Sequence, residues 1–138
     1  LRDLIKNTIV PNTPQHMSIL FESFGFKNGV PTDSDFVFDV RCLPNPYWKQ
    51  QLKNKTGNDQ GVIEFLESQV EVASMLADII GFLTRWIPKF QQNNRSYLTV
   101  SIGCTGGQHR SVYLANRLHE HFAADHPLIQ VSHKELSS

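Results

Sequence analysis

The chain has 138 residues, is 40% hydrophobic and 19% charged, and balances 13 basic against 13 acidic side chains. That length makes one domain with a self-sufficient core, and the composition excludes a disordered tail, a coiled coil or an apolar run able to span a membrane. Two cysteines, Cys42 and Cys104, are too few and too distant for a disulfide framework or a Cys-x-x-Cys site.

In chain order, residues 1–9 read as a short amphipathic helix that ends before Pro11. Residues 17–24 (MSILFESF) read as a strand with Ile19, Phe21 and Ser23 on one face. The segment 27–34 is a loop by its Gly, Pro and Asp content. Residues 35–41 (DFVFDVR) form a second strand whose apolar run suits a buried position. From 42 to 58 the chain is irregular, punctuated by Pro44, Pro46 and Gly57, and Asn58 or Asp59 caps the next helix. Apolar residues then recur at helical spacing from Val62 to Leu83, with a break near Ser68 and a stop before Pro88. Residues 96–103 make a third strand, 112–122 a helix, and 128–132 a last short strand. The alternation predicts an α/β fold: a layered, mainly parallel sheet with helices on its faces, a single domain over 1–138. In such sheets ligands gather at the carboxyl ends of the strands.

Charge is sorted in blocks. Arg41, Lys49, Lys53 and Lys55 fall in an acid-free stretch, Asp59 to Asp78 holds only acids, and Arg85 to Arg117 only bases. The expectation is that the two basic blocks meet around an anion.

The most informative segment is GCTGGQHRS, from Gly103 to Ser111, which leaves a strand and enters a helix. Two adjacent glycines permit a tight turn and close backbone approach. The helix start supplies free N–H groups and its positive dipole end, and His109 and Arg110 add charge-assisted donors. The recipe is one for holding a phosphate. Cys104, five residues and then Arg110-Ser111 also matches the Cys-x5-Arg-Ser/Thr pattern of protein tyrosine phosphatases, in which a thiolate attacks a bound phosphate. Those enzymes have His where this chain has Gly103 and need an Asp general acid, for which Asp33, Asp35 and Asp39 are the candidates. A cysteine-dependent phosphatase is therefore the competing reading.

A second constellation is FDVRCLPNPYW, from Phe38 to Trp48. Asp39 and Arg41 close a strand, where ligand contacts are expected, and the prolines stiffen the loop that carries Tyr47 and Trp48. The bland alternative pairs Asp39 and Arg41 with local backbone and puts Trp48 in the core. His119 and His121, two apart on a helix, point to different faces, so no metal and no cofactor are expected. No signal-peptide pattern opens the chain, and a cytoplasmic location is the default expectation.

At these segments the chain resembles the C-terminal domain of the RNase adapter RapZ family. The resemblance is carried by SILFESFGFKNGVP, DVRCLPNPYW, KTGNDQGVIEFL and NNRSYLTVSIGCTGGQHRSV, and it runs from about Leu1 to His133. It implies a phosphofructokinase-like α/β domain that senses glucosamine-6-phosphate, binds small regulatory RNA and contacts RNase E in the control of amino-sugar synthesis, not an enzyme. Carried over residue by residue, the implied ligand site is Asp39, Arg41, Asn45, Cys104, Thr105, Gly106, Gly107, His109 and Arg110, with Asp39 the nearest carboxylate for the amino group. The family's N-terminal P-loop domain is not represented, since no G-x-x-x-x-G-K-[ST] occurs, and nucleotide hydrolysis is not expected of this chain.

Three departures from the family bear on function. RNA-binding relatives usually end in a run of Lys and Arg, whereas Lys134 is the only base after Arg117 here. RNA binding, expected through Lys49, Lys53, Lys55, Arg95 and Arg117, is accordingly weak and salt-dependent. Gln108, and Tyr47 where relatives often have His, alter the ligand contacts. A homo-oligomer is also expected, because residues 79–87 are apolar on more than one helical face and Phe82 and Trp86 lie one turn apart for a two-fold contact.

Overall fold

The computed structural model describes residues 17–136; the expected helix over 1–9 lies outside them. Four strands form one all-parallel sheet in the order β2-β3-β1-β4: β1 (Ser18–Gly25), β2 (Phe36–Asp39), β3 (Tyr97–Cys104) and β4 (Ile129–His133). Among the described residues three α-helices accompany the sheet, α1 (Gln60–Glu67), α2 (Val70–Gln92) and α3 (Arg110–Ala123). The expected α/β layering is therefore present.

Alternation explains the sheet. Ile19, Phe21, Leu98, Val100 and Ile102 turn inward and are buried, meeting Leu114, Leu118 and Phe122 of α3 in the core. The register pairs Gly25 with Cys104, Asp39 with Gly103, and Ser23 with His133. This alignment brings four carboxyl ends to one edge of the sheet, and the chemistry-bearing loops leave from there.

The helical segment breaks where expected. The Ser68 hydroxyl donates to the Phe65 carbonyl at 2.6 Å, which competes with the helix ladder and ends α1. Asp59 occupies the N-cap position, but its carboxylate turns back to accept from the Thr56 N–H at 2.7 Å instead of capping the helix.

Two expectations are corrected. First, α2 does not stop before Pro88 but continues to Gln92. Pro88 lacks an N–H and so frees only the Thr84 carbonyl, and both residues are exposed to water. Meanwhile buried Ile87 and Phe90, whose ring meets Phe36 edge-on at 5.6 Å, hold the helix to the core on either side of the proline. Second, β2 is a half-buried edge strand and not a fully buried one: among the described residues it pairs only with β3, and Val37 is 42% exposed.

Phe82 and Trp86 separate. The Phe82 ring packs edge-on against Phe36 at 5.3 Å and Phe38 at 5.7 Å, while Phe82 as a whole stays 38% exposed. Trp86 stays 38% exposed beside the Arg85 guanidinium.

Candidate anion-binding site

The segment between β3 and α3 forms the floor of a cavity of about 530 Å³. Cys104, Thr105, Gly106, Gln108, His109 and Arg110 line it from below. The loop after β2 supplies Asn45, Tyr47, Trp48, Lys53 and Asn54, and Lys27 arrives from the turn after β1. The two basic blocks of the sequence thus converge here, through Lys53 and Arg110. No carboxylate lines the cavity among the described residues.

The loop's shape follows from its glycines. Gly107 has a φ of +76°, and a Cβ there would lie 2.5 Å from both Glu135 Cγ and the Gly25 nitrogen. A side chain on Gly103 would strike the rings of Phe24 and Phe26, the latter at 2.6 Å. That excludes at Gly103 the histidine found before the cysteine in tyrosine phosphatases.

Hydrogen bonding fixes the loop by its carbonyls and leaves its donors uncommitted. The Thr105 carbonyl accepts from the Lys27 N–H at 3.3 Å, and the Gln108 carbonyl from the Gly57 N–H at 2.7 Å. Among the described residues, no acceptor takes the backbone N–H groups from Thr105 to Val112. A run of unpaired N–H groups at a helix start is an anion cradle.

Arg110 is 4% exposed. Its Nη1 donates to the carbonyls of Arg41 at 2.7 Å and Leu43 at 3.0 Å, tying the loop after β2 to the cradle, while its buried Nε has no partner among the described residues. His109 is 7% exposed, and its Nε2 is also unpartnered. Burial pushes the His109 pKa down, against a smaller upward pull from the backbone carbonyls of Lys55 and Leu52. The imidazole is therefore neutral at pH 7 and offers a hydrogen bond rather than a charge. Cys104 is buried, with Sγ 3.1 Å from the Ser111 hydroxyl.

Not every expected site residue reaches the cavity. Asp39 and Arg41 sit beside it but form their own pair: Arg41 Nε donates to Asp39 Oδ1 at 2.9 Å and Nη2 to Oδ2 at 2.6 Å, with both side chains 48% exposed. The Arg41 hydrogen bond holds the Asp39 carboxyl below its ordinary range. The Arg41 guanidinium also stacks over the Phe26 ring at 3.9 Å. The bland alternative of pairing with local backbone holds only for Asp39, which accepts from the Arg41 N–H at 3.0 Å; the Arg41 guanidinium takes the Asp39 carboxylate instead, and Trp48 is 80% exposed. Asn45 does line the cavity while its side chain accepts from the Tyr47 N–H at 3.0 Å. Gly107 shapes the loop without lining the cavity.

Sequence reasoning missed Lys27 and Asn54 as lining residues. Lys27 had a usable signal, since it follows the carboxyl end of a strand. Asn54 had none.

The lysines and arginines expected at RNA divide sharply. Lys49, Lys53 and Lys55 are exposed on one loop, and the Lys53 ammonium lies 5.1 Å from the Tyr47 ring centre. Arg95 is ion-paired to Asp35, and Arg117 to Glu67 and Glu120.

No helix among the described residues is long and apolar enough to cross a membrane. Residues 17–137 match the family model of the RapZ C-terminal domain. A nucleotide-binding protein of Cellvibrio japonicus is 58% identical over 99% of this chain and 46% of its own length. Another, from Hahella chejuensis, is 57% identical over 99% of this chain and 48% of its own length. The chain spans about half the length of the curated relatives it matches. On the family match and these identities, the chain belongs to the RapZ C-terminal domain family.

Proposed function

We propose that this domain is a regulatory sensor that holds the phosphate of a sugar phosphate, glucosamine-6-phosphate in the first instance, on the loop from Thr105 to Arg110. One observation carries the reading: the uncommitted N–H groups of Thr105, Gly106, Gln108, His109 and Arg110 belong to residues that line a carboxylate-free cavity together with Lys27 and Lys53. A phosphate meets backbone donors, a helix dipole and cations there together. The cavity also leaves room for a sugar ring beside Tyr47 and Trp48. Because Asp39 is committed to Arg41, we assign the amino group to the neutral acceptors Asn54 and Gln108 instead. Membership in the family supports a regulatory role.

RNA contact and an adapter role toward RNase E belong to the same proposal and rest on the family resemblance. The residues that favour the RNA part are Lys49, Lys53 and Lys55, exposed and without carboxylate partners among the described residues. Arg95 and Arg117, already in ion pairs, are weaker candidates. Binding by three lysines is shallow and falls steeply with salt.

The competing phosphatase chemistry needs a general acid. Asp35 is engaged by Arg95 and the Thr99 N–H, and Asp33 lines a different cavity with Glu22. With Asp39 paired as well, none of the three candidates lines the cavity around Cys104. Calorimetry with glucosamine-6-phosphate and with glucosamine tests the sensor. Saturable binding of the first and none of the second is expected, and equal affinities would defeat the phosphate assignment. Turnover of a generic phosphomonoester that vanishes in Cys104→Ser would favour the enzyme.

A further inference from the structure

The segment after β4 returns to the back of the anion loop. The Lys134 N–H donates to the Ser23 carbonyl at 2.9 Å and extends the β1–β4 ladder by one residue. His133 anchors the segment by Nδ1 to the Ser23 hydroxyl at 2.8 Å and by Nε2 to Asn116 Oδ1 at 2.9 Å. Glu135 follows. Its Oε2 accepts from the Gly25 N–H at 3.1 Å and its Oε1 from Asn28 Nδ2 at 2.9 Å.

Those contacts fix the turn on which the loop rests. Gly25 pairs with Cys104 in the sheet, and a Cβ on Gly25 would lie 2.6 Å from the Gly106 carbonyl carbon, so the two backbones are in direct apposition. The same turn carries Lys27, whose N–H holds the Thr105 carbonyl and whose side chain lines the cavity. Glu135 also sits against the other side of Gly107. It nevertheless does not line the cavity, so it does not touch the ligand directly.

We propose that Glu135 is a positioning residue for the anion loop and, through its charge, a brake on anion affinity. The proposal rests on the reading of that loop as a phosphate cradle. Two effects of opposite sign come from one side chain. Its hydrogen bonds hold Gly25 and Asn28 where the loop needs them, which favours binding. Its side chain lies against Gly107, so its negative charge sits behind the same loop and opposes an anion held there.

Two substitutions separate them. Glu135→Gln removes the charge and keeps the shape: the new carbonyl accepts from the Gly25 N–H, and the exposed Asn28 amide turns to offer its oxygen to the new NH2 group. Glu135→Ala removes both. Titration of the 138-residue chain with glucosamine-6-phosphate and with inorganic phosphate, at low salt, is the test. Glu135→Gln binds both about three- to fivefold tighter than the parent, and the gain shrinks as salt rises. Glu135→Ala binds at least about fivefold more weakly than Glu135→Gln and, without ligand, shifts the amide resonances of Gly106 and Gly107 further than Glu135→Gln does. A purely structural residue would give no salt-dependent gain in Glu135→Gln, and that result overturns the brake. Unmoved Gly106 and Gly107 amides in ligand-free Glu135→Ala overturn the positioning role independently of any ligand. If the parent chain binds neither probe, the phosphate reading falls and takes the brake with it.

Discussion

Two loops leave the same edge of the sheet and both are rich in functional side chains, yet they differ in what their charges are doing. After β3, among the described residues, the backbone donors of Thr105 to Val112 are uncommitted, and two buried side-chain nitrogens, His109 Nε2 and Arg110 Nε, are unpartnered. After β2, Asp39 and Arg41 satisfy each other in a two-contact ion pair and lie outside the cavity. A guanidinium in a sequence is a potential ligand contact only if nothing nearer claims it. Arg41 has its carboxylate two residues away, whereas Arg110 spends one nitrogen on carbonyls and keeps another free.

The largest effect that sharpens this contrast falls on Gly107. Gly107→Ala meets a positive φ and a Cβ position 2.5 Å from neighbouring atoms, so it costs more than about 2 kcal/mol of stability and abolishes sugar-phosphate binding. Chemical denaturation and calorimetry check both, and a stable variant with intact binding would show that the loop geometry is unimportant. Next comes Arg110→Ala. It weakens phosphate-bearing ligands by about 1.5–3 kcal/mol, the scale of a charge-assisted hydrogen bond, and leaves the Arg41 and Leu43 carbonyls without their donor.

A pH series separates the buried histidines from the surface pair. Burial lowers the pKa of His109 and of His133 from the ordinary 6.5. The folded state then binds fewer protons than the unfolded one below that value. Their contribution is complete above about pH 6.5 and is lost as pH falls through the depressed folded values. Glu22 has the opposite sign, because burial raises its pKa from 4.5 and its contribution appears only on acidification toward that range. Denaturation midpoints therefore drop between pH 7 and 5.5, and His133→Gln flattens part of the drop; a flat parent profile would refute the assignment. The smallest effect is expected at the surface pair. Arg41→Ala, in a half-exposed ion pair, changes stability by no more than about 0.5 kcal/mol and sugar-phosphate affinity less than about twofold. A loss as large as that of Arg110→Ala would erase the distinction between the two loops.

Much of this was legible in the chain alone. Strand alternation through Ile19, Phe21 and Ser23, the β-rich run into Gly103 and the glycine pair before His109 are local signals, and each led to the right element. Pro88 misled because helix termination depends on what its neighbours bury, and Ile87 and Phe90 are held by a sheet remote in sequence. The edge position of β2 was hidden for the same reason: strand order is not a property of a single strand. At the candidate site, the turn from β3 into α3 is read from its glycines, but the pairing of Asp39 with Arg41 is a side-chain choice that spacing does not reveal. Neither does the contact of Glu135 with Gly25, which spans 110 positions.

The most direct test of the cradle is to follow its amide protons. In a nuclear magnetic resonance titration with glucosamine-6-phosphate, the backbone N–H resonances from Thr105 to Val112 move together and downfield to saturation, while those of Asp39 to Arg41 move little and glucosamine moves neither group. Shifts centred on Asp39 and Arg41, with the Thr105 to Val112 amides unmoved, would contradict the account.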